Sequence, residues 1–258
     1  MERNSKQFEA LLRLHEGLPR QGPGSAVTTA RALDLLPAVP PEARIYDLGC
    51  GPGHASMVLA SRLKQKVVAV DLTEDFLLQV TANAQDRGLS DLIETRLGDM
   101  AALDDEPQSI NLIWAEGSIY CVGFDQALSI WRPLLKSNGV VACTELSWLK
   151  DNPAAEASQF WQAAYPGARS VVQNITAAER IGYACLGHFV LPQSCWWDEY
   201  YDPLLANIKR LGPEAKDDQF LAQAIHDATA EIDLFKRFSA DYGYVFYLLQ
   251  MLHYLILC

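Results

Sequence analysis

The stretch that most constrains this chain is residues 44–60, RIYDLGCGPGHASMVLA, where an apolar run meets three glycines at every second position and passes directly into a helical pattern. A strand must turn into a helix there. Glycine has no Cβ, so Gly49, Gly51 and Gly53 take up positive φ cheaply and let a ligand approach the backbone. A helix that starts just behind such a turn presents unpaired N–H groups to whatever sits in it. The stretch therefore reads as a ligand cradle.

The surrounding chain supplies the sheet that such a cradle needs. Strand-like runs at ARIYDLG, KVVAVDL, LIETRLGD, INLIWAEG and VVACTELSWL alternate with helical patterns at GHASMVLASRL, TEDFLLQVTANAQDRG and FDQALSIWRPLLKSNG, the last read as helical through to Gly139. Such alternation marks a parallel sheet flanked by helices, and apolar runs without a polar face fit strands buried on both sides. Two helical patterns precede it, around 5–16 and 25–36, the second capped by Ser25, and the proline-rich PAVPPEAR connects them to the sheet. After residue 150 helix dominates, with strands expected at GHFVLPQ and YGYVFYLLQ and a charged helical cap between them, at about 197–240.

Composition narrows the partners. The formal charge is −11 and no basic run occurs, which argues against nucleic acid, whose phosphates need clustered Lys and Arg. The six cysteines are scattered without metal-ligand spacing, so reduced thiols and no metal site are expected. The polar N-terminus lacks a signal-peptide core, which points to the cytoplasm. The apolar C-terminal run YVFYLLQMLHYLILC is short and interrupted by Gln250 and His253, so it reads as a buried terminal strand rather than a membrane span.

The acids decide what the cradle holds. A dinucleotide fingerprint needs its third glycine at position 54, where this chain has His54. Asp47 and Asp71 close the first two strands, Asp99 follows the third and Glu116 the fourth. In an open α/β sheet the ligand lies across those carboxyl ends. Such a rim repels a pyrophosphate and suits a cationic, phosphate-free nucleoside, of which S-adenosylmethionine is one.

The succession DLGCGPG, VVAVDL, LGDM and INLIWAEGSIY, over roughly residues 43–150, resembles the motifs of class I S-adenosylmethionine-dependent methyltransferases. RQGPGS, TELSW, FWQAAYP, LPQSCWWDEYYDPL and YGYVFY extend the likeness to a group of bacterial small-molecule-type methyltransferases and across almost the whole chain. The resemblance implies a Rossmann-like, doubly wound α/β sheet of seven strands, with an antiparallel C-terminal strand inserted beside the GHFVLPQ strand. It implies N-terminal helices and a lid over 1–42 and a methyltransferase domain over 43–258. By position, Gly49, Gly51 and Gly53 would line the methionine and ribose, and Asp47 would hold the loop and approach the ammonium. Asp71 would take the ribose hydroxyls, Leu72 would pack on the adenine, and Asp99 and Met100 would contact the adenine edge. Ala115 and Glu116 would face the methyl-transfer side. S-adenosylhomocysteine would be the product.

Each assignment has a structural alternative. Asp71 is also placed to cap the helix of TEDFLL, alongside Thr73. Glu116 and His54 are candidate bases, although His54 on the cofactor helix reads more readily as structural. Arg20 and Gln21 form either a lid or a linker, and Tyr120, Trp197 and Tyr200 either a substrate wall or packing. Three functions stay open: a small-molecule methyltransferase, an S-adenosylmethionine-binding regulatory or partner protein without transfer, and a nicotinamide-dependent oxidoreductase, which His54 and the acidic rim disfavour. Neither a nucleic-acid nor a membrane partner is expected, and a homodimer is compatible with the sequence.

Overall fold

The computed structural model describes residues 5–252. Its sheet has the order β3-β2-β1-β4-β5-β8-β7, with the two-residue β6 pairing β5 off this path. Strands β1 (Ile45–Leu48), β2 (Val67–Asp71), β3 (Ile93–Leu97) and β4 (Ile110–Ala115) are parallel, as is their junction with β5 (Leu135–Trp148). Strand β8 (Tyr242–Met251) is antiparallel, wedged between β5 and β7 (Tyr183–Val190). Its aromatic and β-branched residues, with no proline, suit a central strand that must donate to both sides. The expected antiparallel insertion is thus observed, and β6 (Arg169–Ser170) brings the count to eight. The remainder of the apolar tail, from His253, lies outside the described residues.

Strand order reverses between β1 and β4, which opens a crevice at their carboxyl ends. Helices α2 (Ala26–Asp34), α3 (His54–Leu63) and α4 (Glu74–Asp86) cover one face; Leu33 and Leu59 pack with Ile45, Trp114 and Phe246 there. The opposite face is covered by α5 (Phe124–Trp131) and α7 (Val171–Ile181), through Trp131 and Ala178 against Ile113, Val141 and Tyr247. Ser25 caps α2 with a reciprocal box to Thr28, as its position in the sequence suggests.

The α5 pattern does not run to Gly139. Pro133 lacks an N–H and its ring collides with the preceding turn, so the helix stops at Trp131, tightens through Arg132–Leu134 and gives way to β5. Gly139 then sits inside that strand where the β4–β5 register shifts, and a Cβ there would lie 2.8 Å from the Lys136 carbonyl oxygen.

A third apolar cluster lies beyond the carboxyl edge of the sheet. It joins α1 (Lys6–Leu14), α8 (Ser194–Trp196), the wide turn Trp197–Tyr201, α9 (Asp202–Leu211) and α10 (Gln219–Phe238) to Leu146 and Tyr242 at the ends of β5 and β8. The remaining helix, α6 (Ala155–Ala164), packs beside it. None of the described helices is long and apolar enough to cross a membrane.

Candidate active site

The cradle forms as a left-handed loop, with φ of +67° at Gly49, +51° at Gly51 and +86° at Gly53, the residue that opens α3. At Gly49 no other residue fits: a Cβ would lie 2.5 Å from Ser118 Cβ. Ser118 itself donates to the Leu48 carbonyl at 2.7 Å, which ties the loop after β4 to the loop after β1.

The acids of the rim differ in how they are held. Asp47 is buried and accepts from Ser56 Oγ at 2.6 Å; burial pushes its pKa up to about 7, opposed by the Ser56 hydrogen bond. A cation above the loop would favour the ionised carboxylate. Asp71 accepts from the Gly51 N–H at 2.9 Å and from the Thr73 N–H at 2.8 Å. It therefore does serve the helix end, and its partly exposed carboxylate keeps lone pairs free for a ligand. Leu72 beside it is 37% exposed, an apolar surface facing outward. Asp99 is exposed and bonds the Ala101 N–H at 2.8 Å, and Trp131 Nε1 donates to the Met100 carbonyl at 2.8 Å, fixing that turn.

Glu116, following the buried Ala115, is fully engaged. It receives Arg20 Nη1 at 2.9 Å, Thr29 Oγ1 at 2.6 Å and Trp114 Nε1 at 2.8 Å. Arg20 and Glu116 are both buried, and Arg20 Nε, 3.4 Å from Glu199, makes no hydrogen bond. Residues 19–23 form a strap over the glycine loop, and together they enclose a cavity that His54, Asp47 and Gly117 also line. Gln21 lies over the loop, its Cγ 3.6 Å from where a Gly51 Cβ would point. Desolvation, with Arg20 and Arg87 nearby, lowers the His54 pKa to about 4, so its imidazole is neutral.

The strap meets the CWWDEYY segment. Gly24 N–H donates to the Cys195 carbonyl at 3.1 Å, and His15 Nε2 and the Tyr200 hydroxyl are hydrogen-bonded at 3.1 Å, with their rings stacked. Trp197 turns away, packing on Tyr201 and Phe235 within the helical layer. Tyr120, after β4, is 49% exposed and its ring meets Tyr165 edge-on. Sequence reasoning passed over Thr29, Tyr244, Glu145 and Glu231. Tyr244 and Glu145 lie in the quoted YGYVFY and TELSW, whereas Glu231 sits in an ordinary amphipathic helix that carries no local signal.

The pieces fit S-adenosylmethionine: a glycine cradle, a carboxylate with free lone pairs at the end of β2, and buried acids where a cation would lie. Comparison with known proteins agrees. The chain is 39% identical over 118 residues to the trans-aconitate 2-methyltransferase of Variovorax paradoxus, covering 44% of this chain and 43% of that one. It is 25% identical over 142 residues to the ribosomal protein L11 methyltransferase of Vibrio vulnificus, covering 55% and 45%. The chain thus spans less than half the length of these curated relatives. A S-adenosylmethionine-dependent methyltransferase from Geobacter sulfurreducens, solved with S-adenosyl-L-homocysteine, superposes with a TM-score of 0.78 at 17% identity, over 94% of this chain and 98% of that one. A family model described as a methyltransferase domain matches residues 41–207. The chain belongs to that methyltransferase domain family, in its class I fold.

Proposed function

We propose that this chain transfers a methyl group from S-adenosylmethionine to a small-molecule acceptor. The observation that carries this is the strap: Arg20 and Gln21 close the glycine cradle on the side where Glu116 and Gly117 face the acceptor space. Such a cover leaves room for a small acceptor and excludes water from the sulfonium.

When bound, the cofactor supplies an activated methyl group that leaves a sulfonium by in-line displacement. The residues of the chain orient and enclose. The backbone of Gly49 to Gly53 would hold the methionine and ribose, Asp71 would accept from the ribose hydroxyls, Leu72 would pack on the adenine, and Asp99 and the Met100 backbone would take the adenine edge. Asp47 favours the ammonium. Arg20, a buried guanidinium whose Nε makes no hydrogen bond and lies 3.4 Å from Glu199, would offer that donor to the methionine carboxylate or to an acceptor. Tyr120 and Tyr200 line the acceptor side. Neither candidate base is free to take a proton: three donors tie Glu116, and His54 is weakly basic. Catalysis therefore rests on positioning and exclusion of water.

The same engagement of Glu116 favours, as a second reading, an S-adenosylmethionine-binding protein without transfer. Radiolabelled donor incubated with the protein and a metabolite extract separates them, since only a transferase labels an extracted compound. Asp71→Ala should weaken cofactor binding by about 2 kcal/mol in calorimetry, the scale of stranded polar partners. Unchanged affinity would place the ribose elsewhere.

A cytoplasmic location is part of this reading and accords with the lack of disulfides among the described residues. A division at residue 42 would set N-terminal helices and a lid apart from the methyltransferase domain.

A further inference from the structure

A groove of about 990 Å³ lies at the carboxyl end of β5, between α6, the start of α7 and the end of the edge strand β7. That is the volume of a small-molecule site, and its walls have the composition of one. Trp148, Trp161, Tyr165, Val171, Val172 and Val190 line it. Val172 and Val190 are 72% and 44% exposed, apolar surface that the fold leaves uncovered. The two indoles are held in place by Tyr242, whose ring meets Trp148 at 6.1 Å and Trp161 at 5.2 Å, both edge-on. Three of the polar side chains along the groove are engaged with other groups. Lys150 donates to Asp241 at 2.6 Å, and Ser170 and Gln173 close the capping box of α7. What faces the opening is chiefly hydrocarbon and ring surface.

Tyr165 joins this groove to the cofactor side. It lines the groove, and its ring meets Tyr120 edge-on at 6.2 Å. Tyr120 in turn stands three residues beyond Gly117, which borders the cavity over the glycine loop. The groove is thus one aromatic pair removed from the loop beside the cofactor. We propose that it receives the lipophilic hydrocarbon portion of the methyl acceptor, whose nucleophilic end reaches past Tyr165 and Tyr120 toward Gly117. Burying that portion against Trp148, Trp161 and the valines supplies affinity through the apolar area removed from water, without a directional contact. The acceptor class rests on the methyltransferase reading above.

The experiment uses the full chain saturated with S-adenosylhomocysteine. Butan-1-ol, hexan-1-ol and octan-1-ol are titrated by calorimetry, and each added methylene should tighten binding about threefold, the scale of burying one CH₂. Val172→Glu and Val190→Glu, at exposed positions that the fold should tolerate, should each flatten that dependence while S-adenosylhomocysteine binds as before. Leu78→Glu, on the exposed face of α4, should leave it intact. In the labelled-donor incubation the methylated compound should partition into an organic layer, and Val172→Glu should form less of it. Binding without dependence on chain length overturns the inference. So does a dependence that survives both valine substitutions, and so does label confined to the aqueous layer. Failure of S-adenosylhomocysteine to bind, or no labelled compound at all, defeats the methyltransferase reading itself, whereas the other outcomes overturn the groove alone.

Discussion

The cofactor edge and the two acids behind it, Glu145 and Glu231, are built in opposite ways. At the cofactor edge each carboxylate has a partner close in sequence: Ser56 for Asp47, Gly51 and Thr73 for Asp71, Ala101 for Asp99. Behind that edge Glu145 and Glu231 each face a single phenol, of Tyr165 and of Tyr201. Between them, the Arg20–Glu116 pair joins segments almost a hundred residues apart. A satisfied carboxylate fixes a loop whether or not ligand is present. A carboxylate buried against a phenol alone ionises at a cost. The edge is thus preorganised scaffold, and the two acids behind it are costly to charge.

That contrast breaks most readily at the hinge between the two regions. Arg20→Ala leaves buried Glu116 without its cation and frees the strap, and should lower stability by about 3 kcal/mol in denaturant unfolding. Hydrogen exchange in residues 19–24 should rise with it. An unaltered unfolding midpoint would mean the strap is held by its backbone contacts alone.

Gly49→Ala tests the preorganised side. The new Cβ meets Ser118 at a backbone angle that L side chains avoid, so a loss of about 2 kcal/mol is expected, together with weakened cofactor binding. Full retention of both would show that the loop relaxes, and the edge would no longer count as rigid.

Glu145→Gln acts in the opposite direction and is the smallest effect. Burial raises the Glu145 pKa to about 7, so the folded state holds a proton that the unfolded chain releases near the usual carboxyl range. Stability contributed by this group is therefore present at low pH and falls as pH rises from about 4 to about 7. The glutamine variant lacks that slope. It should match the wild type near pH 4 and exceed it by about 1 kcal/mol at pH 8, where a buried charge held by the Tyr165 phenol alone is costly. A variant less stable than the wild type at pH 8 would show that Glu145 is satisfied in the folded protein, and the contrast between the two acidic regions would fail.

How far each region was legible follows from the same contrast. Gly49, Gly51, Gly53, Asp47 and Asp71 lie within one strand–loop–helix–strand unit, where local turn chemistry and the strand period carry the information. The antiparallel β8 was readable too, because an apolar, proline-free run has few other places to go. The end of α5 was misread because the apolar pattern continued past Pro133, and the missing N–H outweighed it. For Trp197 the sequence left substrate wall and packing both open; the wide turn at Trp197–Tyr201 sets its ring against Tyr201 and Phe235 in the helical layer and Tyr200 against His15. Glu231 was invisible, since one glutamate on an amphipathic helix resembles any solvated one.

By itself, then, the sequence determined the parallel sheet, the glycine cradle and the acids at its rim, because period, turn residues and strand ends act over a few neighbouring positions. Only the tertiary structure decided that Arg20 would meet Glu116 and that Tyr201 would meet Glu231. Those meetings depend on how the strap and α10 pack against segments distant in the chain, and no local preference encodes which side chains such packing brings together.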